Sequence, residues 1–162
     1  MLPDTFDGLM FASEGKAVAG QVPVARLSRL ADVLADVEGD LDCRVSGSLD
    51  GDGNHWLTVE VSGTLRLVCQ RCLGPLVHPV EVRSSLLLIP PGQPLPDDEL
   101  AEDGFDAIEA EKEMALLPLI EEEVLLALPI APRHEVCETP AAVVDENEPS
   151  PFAALAKLKK GA

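Results

Sequence analysis

Trp56-Leu57-Thr58-Val59-Glu60-Val61-Ser62-Gly63-Thr64-Leu65-Arg66-Leu67-Val68-Cys69 is the stretch on which the fold turns. Leu57, Val59, Val61, Gly63, Leu65, Leu67 and Cys69 fall on one side of a period-two pattern, with Thr58, Glu60, Ser62, Thr64 and Arg66 on the other. That is the pattern of a long antiparallel strand with one face buried and one wet. Toward the N-terminus, Gly51-Asp52-Gly53-Asn54 supplies turn residues, and Asp40 to Leu49 alternates in the same way, Leu41, Cys43, Val45 and Gly47 against Asp42, Arg44 and Ser46. The two segments therefore form a hairpin. Toward the C-terminus the alternation breaks at Cys69 to Pro75 and resumes over Leu76 to Ile89, which makes a three-stranded meander.

Other elements attach to this meander. Lys16 to Val24 reads as one more strand, and Val24, Leu27, Leu30, Val33 and Leu34 fall at helical spacing, predicting a short helix over Val24 to Val37. Pro90 to Gly104, with Pro90, Pro91, Pro94 and Pro96 followed by Asp97, Asp98, Glu99, Glu102 and Asp103, reads as an acidic, Pro-rich, solvated loop. Phe105 to Ala110 fits a short strand. A helix entered around Pro118 and stopped by Pro129 carries the stripe Leu117, Ile120, Val124, Leu125 and Leu128, destined for the sheet, with Glu121, Glu122 and Glu123 on a solvated face near its positive end. After Pro132 the chain turns irregular and acidic until Ser150-Pro151, where Ser caps and Pro opens a last short helix. The fold class expected is α+β: a mainly antiparallel sheet with a packed helix, one domain over 1–137, then an acidic linker and a short basic helical arm over 138–162.

Charge narrows the function. The 162 residues carry 12 Lys or Arg against 29 Asp or Glu, a formal net charge of −17, with 46% apolar residues. That apolar share excludes a disordered acidic tail, and no apolar run approaches the length of a membrane span. Asp4, Asp7 and Glu14 near the N-terminus are the opposite of a basic export signal, so a cytoplasmic protein with reduced thiols is expected and no membrane partner. Residues 91–150 hold 17 acids and 2 bases, whereas residues 151–162 hold 3 bases and no acid. A surface this acidic disfavours a broad electrostatic grip on nucleic acid.

Cys69-Gln70-Arg71-Cys72, leaving a strand and followed by Gly74 and Pro75, has the form of a zinc knuckle, since two thiolates at this spacing reach one tetrahedral ion. The remaining pair is His134-Glu135-Val136-Cys137, separated from the first by 61 residues. One structural zinc on Cys69, Cys72, His134 and Cys137 competes with unliganded reduced thiols and with a redox pair. A thioredoxin-like pair opens a helix after a parallel strand, whereas this one sits between antiparallel strands. Cys43, among apolar alternates, reads as a buried small hydrophobe, and His55 and His78 as structural or exposed. No nucleotide-binding, nucleophile-elbow or metalloprotease motif occurs, so neither an enzyme nor a small-molecule substrate is expected. For RNA met directly, the bases nearest the knuckle, Arg66, Arg71, Arg83 and Arg133, are the candidates; the alternative is that they balance acidic neighbours. In the arm, Phe152, Leu155 and Leu158 form an apolar stripe and Lys157, Lys159 and Lys160 a basic end, for docking on a partner or on the protein's own sheet.

Three blocks together resemble the YceD family: Val68-Cys69-Gln70-Arg71-Cys72-Leu73-Gly74-Pro75, Glu121 to Pro129 followed by Pro132, His134 and Cys137, and Pro151 to Lys159. Members are described as large ribosomal RNA subunit accumulation proteins, needed for normal levels of 23S rRNA. The resemblance implies a non-enzymatic ribosome-biogenesis factor promoting accumulation or processing of 23S rRNA of the large subunit, touching that RNA or its precursor directly or through a protein. From a different class comes an acidic adaptor or chaperone that shields a basic ribosomal protein. Many relatives in other bacterial groups carry a more Cys-rich C-terminal segment, where this chain offers only His134 and Cys137.

Overall fold

In the computed structural model, residues 2–95, 104–140 and 152–153 are described; residues 96–103 of the acidic Pro-rich stretch and all of the expected C-terminal helix but Phe152 and Ala153 lie outside them. In chain order the elements are β1 (Thr5–Phe6), α1 (Gly8–Ser13), β2 (Ala17–Pro23), β3 (Asp40–Leu49), β4 (His55–Val68), β5 (Pro75–Ile89), β6 (Asp106–Glu109), β7 (Met114–Ala115) and α2 (Leu116–Ala127). The fold is α+β. A five-stranded sheet runs β2-β3-β4-β5-β6, antiparallel except for the β5–β6 pair, and β1 pairs with β7 in a small second sheet.

Register follows the alternation. Val59 opposes Val45 on β3 and Ser84 on β5, and Val61 opposes Cys43 and Val82, so the apolar sets of neighbouring strands share one face. On that face Leu41, Val45, Leu57, Val59, Leu65, Leu67, Leu86 and Leu88 are buried, covered by α1, α2 and the segment after β2. The β3–β4 turn is closed by the Asp50 carboxylate, which accepts from the backbone N–H groups of Asp52 and Asn54, the Asn54 amide and the Trp56 indole, all at 2.9 Å. These donors, the indole first, hold Asp50 well below the usual carboxylate range. Gly53 takes the positive φ of +84° that the turn requires.

Three expectations need correction. The helix expected over Val24 to Val37 is two single 3-10 turns, Val24–Arg26 and Ser28–Leu30. Its apolar residues Val24, Leu27, Leu30 and Leu34 are buried as the spacing demanded. Yet Leu34 bridges to Leu67, Val33 accepts from Val68 N–H and Ala35 donates to the Arg66 carbonyl. Pairing with β4 thus takes the groups a helix would use. Second, α2 begins at Leu116, two residues ahead of Pro118, which sits in the first turn where its missing N–H costs nothing. Third, Glu121 and Glu123 are not on a solvated face but 4% and 5% exposed, and Glu121 accepts the Arg29 backbone N–H at 2.6 Å, capping the second 3-10 turn. The intervening Glu122 is exposed and paired with Arg29.

Three elements went unanticipated, the paired β1 and β7 and the helix α1. α1, six residues capped by Asp7, packs on β3 where Gly47 lies against the backbone of Phe11 and Ala12.

Candidate metal centre

Where β4 ends, the chain must reverse into β5 within six residues. Cys69 N–H donates to the Gly74 carbonyl and Leu73 N–H to the Cys69 carbonyl, both at 2.9 Å, which closes a knuckle around the thiols. Leu73 takes a φ of +62°, a conformation that normally falls to glycine. The segment beyond α2 is tied back across 62 positions. Gln70 N–H donates to the Pro132 carbonyl at 2.8 Å, and the Arg71 guanidinium reaches the Cys137 carbonyl at 3.4 Å.

These ties bring together the four residues singled out in the sequence. One ligand atom from each of Cys69, Cys72, His134 and Cys137 lies within 4.8 Å of every other. Cys69 Sγ is 3.8 Å from Cys137 Sγ, and Cys72 Sγ is 3.3 Å from His134 Nδ1. His134 Nε2 lies 3.0 Å from the Pro75 carbonyl, which can only accept, so Nε2 carries the proton and the Nδ1 lone pair faces the thiols. The Cys69 sulfur is fully buried, which by itself raises a thiol's pKa. Backbone N–H groups of Cys72, His134 and Arg71 aimed at it more than offset the burial and bring Cys69 to about 5. Cys137 is pushed up, by burial and then by the neighbouring thiols of Cys69 and Cys72. A cage of three thiols and one imidazole, with a thiolate already favoured and the imidazole fixed in its metal-binding tautomer, is a donor set able to hold a metal ion. Cys43, by contrast, is buried alone and raised to about 11 by its burial and by Asp42.

The arginines named as candidates for RNA have different partners. Arg66 is held by Asp36 at 2.6 Å and Glu38 at 2.8 Å, and Arg83 lies 3.4 Å from Glu60, which also pairs with Arg44. Arg71 serves the knuckle, and Arg133 is exposed beside His134. Of the partner-docking residues, Phe152 is largely exposed, while Leu155, Leu158, Lys157, Lys159 and Lys160 lie outside the described residues. One pair escaped the sequence reading, Ser13 Oγ and His55 at 3.0 Å, 42 positions apart and without a motif to signal it. Ser13 donates its hydroxyl proton to the Leu9 carbonyl at 2.7 Å, so the imidazole acts as donor there and not as a base. Among the described residues no helix is long and apolar enough to cross a membrane.

The chain is 29% identical to the large ribosomal RNA subunit accumulation protein YceD of Haemophilus influenzae, over 98% of this chain and 97% of that one. No solved structure gives a significant match. Residues 57–159 match the family described as large ribosomal RNA subunit accumulation protein YceD, a stretch that takes in both halves of the Cys/His cage and the end of the chain. The chain belongs to the YceD family.

Proposed function

We propose that this protein is a non-catalytic, cytoplasmic factor that promotes accumulation or processing of 23S rRNA of the large ribosomal subunit. The observation that carries the reading is the end-to-end similarity to a protein named for that role. The Cys3His cage is, in this reading, a closed structural zinc site: thiolate-rich four-ligand sets with no open position suit zinc and leave no room for a substrate. Cys69, Cys72, His134 and Cys137 would hold the ion, and the ion would tie the segment after α2 to the end of the sheet. The domain ends with this segment, at about residue 137, and the acidic linker and basic arm follow.

How RNA is reached is a second question, and here the ion pairs favour the adaptor reading. Arg66 and Arg83 are spent on Asp36, Glu38 and Glu60, in a chain of net charge −17. Arginines so paired release few counterions from a phosphate backbone. An acidic adaptor acting on rRNA through a basic ribosomal protein fits that balance better.

The test is genetic and quantitative. In a strain lacking the protein, the ratio of 23S to 16S rRNA should fall and be restored by the wild-type chain; an unchanged ratio would sink the function. Elemental analysis of protein purified without chelator should give about one zinc per chain, and less than about a tenth of an equivalent would remove the zinc site, because a closed four-ligand site does not empty during purification.

A further inference from the structure

We propose that the knuckle end of the sheet is a docking surface for a basic protein segment bearing apolar anchor side chains. The proposal rests on the adaptor reading above, which makes basic proteins of the large subunit the partners to test.

Four apolar side chains are turned outward there. Leu73 is 66% exposed, Val77 67%, Val136 93% and Ile130 104%. Hydrogen bonds already described place them at one end of the molecule. Leu73 follows Cys72, whose sulfur meets His134; Val77 is two residues beyond Pro75, whose carbonyl holds His134 Nε2; Ile130 and Val136 flank Pro132, which accepts from Gln70. Beside them, between β5 and the end of α2, a groove of about 340 Å³ is lined by His78, Pro79, Val80, Glu81, Ala127 and Leu128. It is the size of an apolar side chain or two and opens next to Val77 and the exposed Leu126.

Leu73 sets the surface apart. Its φ of +62° is strained for any residue with a Cβ, and its side chain is two-thirds exposed. Glycine would sit there freely. A leucine in that conformation with most of its side chain in solvent is what a contact outside the chain would use. The segment 130–137 is tied at Pro132, His134 and Cys137, so Ile130 and Val136 are presented on an ordered loop, and little conformational freedom remains to be lost on binding.

The chemistry of the surface selects the partner. Aliphatic side chains offer no ring face on which a base stacks, and the exposed carboxylates of Glu81, Glu135 and Glu138 repel phosphate. Arg71 is engaged with Cys137, which leaves Arg133 as the cation beside the patch among the described residues. A basic protein segment meets both features, its apolar anchors entering the groove and its Lys or Arg side chains facing Glu81, Glu135 and Glu138. The net charge of −17 accelerates its approach.

The experiment titrates the full-length protein, as wild type, as Ile130→Ser/Val136→Ser and as Leu73→Gly, against individually purified large-subunit ribosomal proteins and against 23S rRNA fragments. A basic ribosomal protein should bind, and both variants should weaken it by at least about tenfold. Their melting temperatures should be kept or, for Leu73→Gly, raised, which separates lost contact from lost fold. The proposal is overturned by absence of binding across the panel, by affinities within about twofold of wild type in all variants, or by rRNA fragments being the ligand the variants lose. It is equally overturned by a wild-type dimer that the variants dissociate, since the occupant would then be a second copy. In cells, a strain restored equally well by the Ile130→Ser/Val136→Ser chain removes this surface and leaves the rRNA function standing, whereas unchanged 23S rRNA on deletion removes that function instead.

Discussion

Between β3 and β5 the side chains of Leu41, Val45, Leu57, Val59, Leu65 and Leu86 have lost essentially all contact with solvent, while a few residues past α2 Ile130 and Val136 are almost wholly exposed. Both regions are ordered, by different means. The sheet is held by area removed from water, reinforced by strand ladders. The segment 130–137 buries Pro132 and little else, and it is located by single polar ties to Gln70, Arg71 and Pro75 and by the thiols at its end. The contrast teaches that a short loop with its apolar side chains facing out needs cross-links of another kind, and that those cross-links free the apolar side chains for external use.

Substitutions break the comparison in a graded way. Leu65→Ala strikes the region that depends on burial and should cost about 2–5 kcal/mol, read by urea denaturation. Gly47→Ala places a Cβ 2.6 Å from the Ala12 Cα and 2.7 Å from the Phe11 carbonyl oxygen, both backbone atoms. α1 must shift off β3, with an expected loss of about 1–3 kcal/mol. Leu73→Gly runs the other way. Relief of the positive φ should add about 1 kcal/mol and raise Tm by about 2–4 °C; a fall in Tm would mean that the leucine packs on its own chain. Cys137→Ser should leave the urea midpoint of the sheet nearly unmoved while amide exchange at Gln70, the donor to Pro132, accelerates by at least about tenfold. Equal protection in that variant would show the loop held without its thiols. Smallest of all is an effect expected to be nil: Cys43, raised to about 11, should stay unalkylated in the native protein at about pH 8 and react only after denaturation, as mass spectrometry would record.

What the sequence made legible follows the same division. Alternation within Leu41 to Leu49, Leu57 to Cys69 and Leu76 to Leu88 is a property of neighbouring residues, so strands, faces and hairpin were all readable. The four residues of the cage could be singled out too, because a Cys-x-x-Cys pair and a His-x-x-Cys pair are chemically conspicuous at any separation. The 24–37 segment was not, since its periodicity correctly marked Leu27, Leu30 and Leu34 for burial but not that Val33 and Ala35 would bond to β4. Burial of Glu121 arises from a 3-10 turn 92 positions away, and no local pattern announces it. Nor did composition reveal α1, whose six residues owe their place to Gly47. Outward exposure of Ile130 and Val136 is likewise invisible in sequence, where an apolar residue reads as core by default.

Strand order in the main sheet is the order of synthesis, β2-β3-β4-β5-β6. A chain leaving the ribosome can therefore add each strand to the one just before it, the β2–β3 and β5–β6 connections of 16 residues each being the longest loops closed on the way. Cys69 and Cys72 are made early in that sequence, and His134 and Cys137 only after α2. The ligand cage is thus completed last. A chain interrupted between α2 and His134 would hold every strand of the sheet but only two of the four cage residues, and metal uptake by the cage would report the completion of folding rather than its beginning.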